Sequence, residues 1–167
     1  MDEIDVLGLP VPNAGPVFLA ALVVHVSAGL ACVACGALAA LSRKGGTWHL
    51  RFGRAYLWGL GVLLASVSVL AAIRWRENAH LAAIGVVAAA AALIGYLNRQ
   101  RRPILHIVGL GLSYVTLLTG FYVDNGPHLP LWDRLPAWAH WLVPSLVGFP
   151  LIARAVRSRL RRKAAAG

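Results

Sequence analysis

The sequence predicts an all-α integral membrane bundle of five transmembrane helices, with the N-terminus outside and the C-terminus inside. Three observations predict it. Apolar runs at about 17–41, 55–73, 79–97, 104–123 and 135–153 each reach about the 17–25 residues that a helix needs to cross a ~30 Å hydrocarbon layer. A content of 59% hydrophobic and 13% charged residues, with a mean hydropathy of +0.68, leaves too little polar surface to solvate a globule of 167 residues. The 16 Lys and Arg residues are also distributed unequally. Arg43, Lys44, Arg51, Arg54, Arg99, Arg101, Arg102 and the cations after 153 share one side, against Arg74, Arg76 and Arg134 on the other. The positive-inside rule makes the richer side cytoplasmic and points to a bacterial inner membrane.

The first run is too long for a signal peptide and has no basic segment before it, so it reads as a retained first helix. Its residues His25, Gly29, Cys32, Gly36 and Ala39 form one stripe of little bulk. Cys32 and Cys35 make a C-x-x-C without the following His of a c-type haem attachment site. Small apolar packing residues are the preferred reading of this pair, ahead of a metal site.

In the linker that follows, Gly45 and Gly46 permit a tight turn and Trp48 suits the interface. Arg51 and Arg54 are able to hold phosphate, beside the loop imidazole of His49. Helices 2 and 3 are joined by a short turn around Arg74, Arg76 and Glu77. Helix 4 repeats the small-residue stripe with His106, Gly109, Ser113, Leu117 and Gly120. Asp124 and Asn125 open the outer connection, where Asp-Asn-Gly-Pro is a strong turn sequence. With Tyr122 and His128 they also offer a polar mouth above the bundle. Pro144 and Pro150 predict a bend or a locally opened ladder in helix 5. The basic tail 154–167 is expected along the inner leaflet, held by anionic lipid headgroups. A charge of +10 raises nucleic acid as a partner, but the cations flank spans and no nucleic-acid motif surrounds them. Without a linker, repeat or long loop, the chain reads as a single domain.

Ionisable groups inside a bilayer are expensive and mark candidate sites. His25 and His106 meet this condition best. His80 and His140 fall at the outer ends of helices 3 and 5, and His49 near the inner face. The two levels suggest haem b, with an outer centre drawn from His25, His80 and His140 and an inner one from His49 and His106. Close helix packing with hydrogen-bonded imidazoles is the structural alternative.

The spacing from His25 to the Lys44, Gly45 and His49 pattern and then Gly53, Arg54 and Tyr56 resembles a family of multi-pass bacterial membrane proteins classed as a domain of unknown function. The block from His106 and Gly109 through Ser113-Tyr114 to Phe121-Tyr122-Val123-Asp124-Asn125-Gly126 is similar to the same family. The resemblance implies a multi-pass topology and singles out His25, His49, His106, Arg54, Tyr114, Asp124 and Asn125.

No Ser/His/Asp arrangement, P-loop, dinucleotide fingerprint or zinc-protease motif appears, so no catalytic residue is assigned and an enzymatic role stays open. Three functions remain. One is a b-type haem protein that exchanges electrons with quinone or a membrane partner. The second is a proton-linked small-solute transporter acting as a homo-oligomer. The third is a non-catalytic subunit of a larger membrane complex.

Overall fold

In the computed structural model, residues 3–6, 9–12 and 14–165 are described. A short antiparallel hairpin, β1 (Glu3–Val6) and β2 (Leu9–Pro12), pairs Glu3 with Pro12 and Val6 with Leu9. Five helices follow: α1 (Pro16–Leu41), α2 (Thr47–Ile73), α3 (Trp75–Leu97), α4 (Pro103–Asn125) and α5 (Ala137–Ala164). All five are long and apolar enough to cross a membrane, and the chain is a multi-pass membrane protein. Their outward side chains agree with that assignment. Val17, Val23, Val24, Val26 and Leu30 of α1 are exposed, an arrangement that lipid accepts and water penalises.

Two helices are longer than the hydropathy runs suggest. α2 begins at Thr47, eight residues before the expected start at Ala55, so His49 lies in a helical first turn and not in a loop. Charged Arg51 and Arg54 interrupt the apolar run but remain good helix formers. α5 continues to Ala164, so most of the basic tail extends the span as one helix. Helical assignment runs unbroken through Pro144 and Pro150.

The chain divides into two compact units, Met1–Ala82 and Ala83–Gly167. In the first, α1 packs against α2. Cys32 is 1% exposed and its thiol donates to the Tyr56 carbonyl at 3.6 Å. Gly59 makes room for it, since a Cβ there would lie 2.7 Å from Cys32 Sγ. At the other end of α2, Asn78 Nδ2 donates to the carbonyls of Arg74 and Leu70 at 3.1 and 3.4 Å. Arg74 pairs with Glu77 at 3.2 Å.

In the second unit α3 and α4 meet at Gly95 and Gly109, where the backbones approach closely. A Cβ on Gly109 would lie 2.7 Å from Ala91 O and from Gly95 N and Cα. The stripe expected on helix 4 is the one that packs, with Ser113 0% and Leu117 8% exposed. α4 also packs on α5. Gly111 accommodates Ile152 and Gly148 accommodates Val115. Without a hydrophobic drive between helices in lipid, such close approach supplies much of the packing.

The helix contacts predict an ordered series of thermal stabilities in detergent. Gly109→Ala, which drives a methyl into α3 backbone, lowers stability by about 1–3 kcal/mol. Gly61→Ala, with no protein atom within 4 Å of the new methyl, is neutral or gains up to about 1 kcal/mol of helix propensity. Equal melting temperatures for the two variants contradict the close approach of α3 and α4.

Candidate functional site

Helices that end in lipid leave their last carbonyls without donors, and each must be satisfied locally. At the end of α1, Ser42 Oγ donates to Leu38 O and Lys44 Nζ to Ala40 O, both at 2.5 Å. His49 Nδ1 adds a bond to Ala39 O at 2.9 Å. Desolvation at this helix end draws the Lys44 ammonium below the ordinary lysine pKa. At the end of α3 the solution is similar. Asn98 Nδ2 donates to Ile94 O at 2.9 Å, Arg99 to Tyr96 O at 3.0 Å, and His106 Nδ1 to Gly95 O at 3.1 Å. The sequence shows a short local likeness at these two ends: Leu41-Ser42-Arg43 and Leu97-Asn98-Arg99 share the order leucine, small polar residue, arginine, and a histidine follows each, at His49 and His106.

The acceptors fix the imidazole tautomers. A carbonyl only accepts, so the Nδ1 atoms of His49 and His106 donate, and a neutral ring in this geometry has its lone pair on Nε2. The same holds for His25. Its Nδ1 lies 3.1 Å from Ser66 Oγ, and the Ser66 hydroxyl donates to Leu63 O at 3.0 Å. Ser66 Oγ therefore accepts from His25 Nδ1–H. All three histidines are half-buried and use Nδ1 for the contact with oxygen.

Two of them also have glycine four residues on, along the same helix face. Gly29 follows His25 and Gly53 follows His49, and no protein atom lies within 4 Å of a Cβ built on either. Helix packing explains Gly59, Gly95 and Gly109 but does not explain this pair. The stretch from His25 to Ala39, whose carbonyl His49 holds, spans ~21 Å at about 1.5 Å per residue. His25 and His49 thus lie at two separate levels along α1 within one unit.

His140 behaves differently. It is 4% exposed, its Nε2 donates to Trp132 O at 3.2 Å, and its ring fills the space left by Gly126. Trp132 stacks on Tyr122 with ring centroids 4.3 Å apart. These contacts make His140 the clasp of the connection between α4 and α5. His80 in α3 and His128 in the 3-10 turn Gly126–His128 are exposed.

Among the other candidates, Tyr56 is buried on α2 and Arg54 is exposed one half-turn before it. Tyr114 is half-buried on α4. Asp124 and Asn125 form the last helical turn of α4 where a reverse turn was expected, and Asn125 Nδ2 donates to Phe121 O at 3.0 Å. Trp48 stacks on Phe52 at 5.6 Å, with Arg51 over its ring at 5.6 Å. Cys32 packs between helices, in agreement with the packing reading, and both cysteines are free. Among the described residues no group of three or more His, Cys, Asp or Glu converges, so no multidentate metal site forms there. No family model, curated protein or solved structure matches the chain.

The clasp predicts a local effect. His140→Ala removes the Trp132 bond and raises hydrogen exchange across residues 129–135, with a stability loss of about 1–3 kcal/mol for the orphaned contact. Unchanged exchange across those residues contradicts the clasp.

Proposed function

We propose that this membrane protein is a b-type haem protein that exchanges electrons with a quinone or a membrane redox partner, using His25, His49 and His106 as candidate ligands. The reading rests on one observation above all: these three imidazoles each set Nδ1 against an oxygen, at 3.1, 2.9 and 3.1 Å, the geometry in which a neutral ring carries its lone pair on Nε2. That is the tautomer in which histidine ligates iron, with the Nδ1 hydrogen bond setting ring orientation and basicity. Residue chemistry and space also suit the group. Axial ligation needs only imidazoles, and Gly29 and Gly53 leave the helix face beside His25 and His49 low enough for a flat macrocycle to lie close. Bound haem would supply a one-electron couple whose potential depends on axial ligands and their hydrogen bonds. The chain's own part is to hold each ring, through Ser66, Ala39 O and Gly95 O, and to keep water out with apolar helix faces.

Supplying haem during expression and recording oxidised and reduced absorption spectra of the purified protein tests this reading. A Soret band and a reduced α-band are expected. His49→Gln and His106→Gln keep a donor for the helix-end carbonyl and weaken or shift those bands, while His140→Ala leaves them in place. Gly53→Ala adds a methyl to the open face with no neighbouring side chain within 4 Å of it and lowers haem content at unchanged monodispersity. Protein that takes up no haem under these conditions rules the proposal out.

The cations support a topology with the basic helix ends in the cytoplasm of a bacterial cell and the N-terminus across the inner membrane. A reporter fused after residue 167 is expected to be active only in its cytoplasmic form. Activity of a periplasmic reporter at the same position reverses the orientation.

A further inference from the structure

The end of α5 carries a feature that the haem reading does not use. At about 1.5 Å per residue its 28 residues make ~42 Å of helix, against a hydrocarbon layer of ~30 Å. Trp138 and Trp141 are exposed near its start and suit one interface. Counting ~20 residues onward places the stretch from Arg154 to Arg162 at the opposite boundary. There a groove of ≈ 730 Å³ is lined by Pro150, Ala153, Arg154, Arg157, Ser158, Arg161 and Arg162. All seven residues are exposed.

Helical geometry assigns the groove to a single face. Ile152 and Gly148 mark the side of α5 that packs on α4, and at about 100° per residue the groove residues centre on the opposite side. No acidic residue occurs anywhere on α5. Four guanidinium groups therefore converge over ~12 Å of helix without a carboxylate on their own element. Pro150 and Ala153 extend the groove towards the apolar span. Forked guanidinium donors suit phosphate oxygens bidentately, and long Arg side chains rooted just inside the hydrocarbon reach out to headgroup depth.

We infer that this arginine face of α5 is a binding site for an anionic phospholipid whose headgroup carries two phosphates. The apolar end of the groove takes the proximal part of the acyl chains and the four arginines take the phosphates. The inference is independent of haem, because its readout is bound lipid.

Delipidated full-length protein in mild detergent, titrated with cardiolipin, phosphatidylcholine or inorganic phosphate and read by native mass spectrometry, tests it. Cardiolipin is expected to be retained in preference to phosphatidylcholine. Replacing all four arginines by Gln lowers that retention by roughly tenfold or more, and Arg157→Gln with Arg161→Gln lowers it in the same direction. Arg99→Gln with Arg101→Gln, on another cytoplasmic connection, leaves it unchanged. Equal retention of the two lipids, or undiminished retention by the fourfold variant with native helix content, overturns the site. Inorganic phosphate displacing cardiolipin at matched concentration makes it a small-anion site and also overturns the lipid assignment.

Discussion

A helix that ends at the edge of lipid must find donors for its last carbonyls, and the two histidine-bearing hairpins are organised around that need. α1 and α3 both finish with a polar residue that bonds back one turn, Ser42 to Leu38 O and Asn98 to Ile94 O. Each then receives an imidazole from the first turn of the next helix. The bond ties the start of one helix to the end of its predecessor and sets a short connection between them. Gly45, at φ 77°, provides the left-handed residue that the first connection requires. Packing, turn geometry and imidazole tautomer therefore follow from one electrostatic demand.

The glycines fall into two physical groups. Gly59, Gly95, Gly109 and Gly148 are sites where another side chain or backbone occupies the place of a Cβ. Their cost in helix propensity, roughly 1 kcal/mol each, is offset by contacts that no larger residue permits. Gly29, Gly53 and Gly61 have no such neighbour. The first two each stand one turn beyond a histidine, and it is that position, more than the open space all three share, that directs attention to the face beside His25 and His49.

Much of this was legible in the sequence, and the failures have definite causes. Apolar run length located all five helices, because lipid makes hydropathy the dominant signal. It misplaced the start of α2 and the end of α5, since Arg51, Arg54 and the arginines after 153 end an apolar window without ending a helix. The stripe from His106 to Gly120 was visible because its members recur at helical spacing. Its counterpart Gly95, like Gly59 and Gly148, was missed because it contributes a single small residue to a contact between distant segments. The caps were illegible for another reason. Their acceptors are backbone carbonyls, which have no residue signature, and only the donor pattern around Leu41 and Leu97 betrayed them.

The capping demand alone does not account for the choice of histidine. Ser42, Lys44, Asn98 and Arg99 meet neighbouring carbonyls with cheaper and more flexible donors. A serine, asparagine or lysine at 49 or 106 also supplies a proton to an oxygen. Imidazole differs in carrying a second nitrogen ~2 Å across a rigid ring, and donation from Nδ1 makes that nitrogen a base by necessity. His140 provides the internal contrast, because its Nε2 is spent on Trp132 O inside a packed clasp. A purely structural role leaves the tautomer of a buried histidine to whichever acceptor is nearest. His49 and His106 meet helix-end carbonyls and His25 meets a serine hydroxyl, and all three do so through Nδ1. The use of the same ring atom by His25, which caps no helix end, is the reason to read these rings as candidate ligands and not as caps alone.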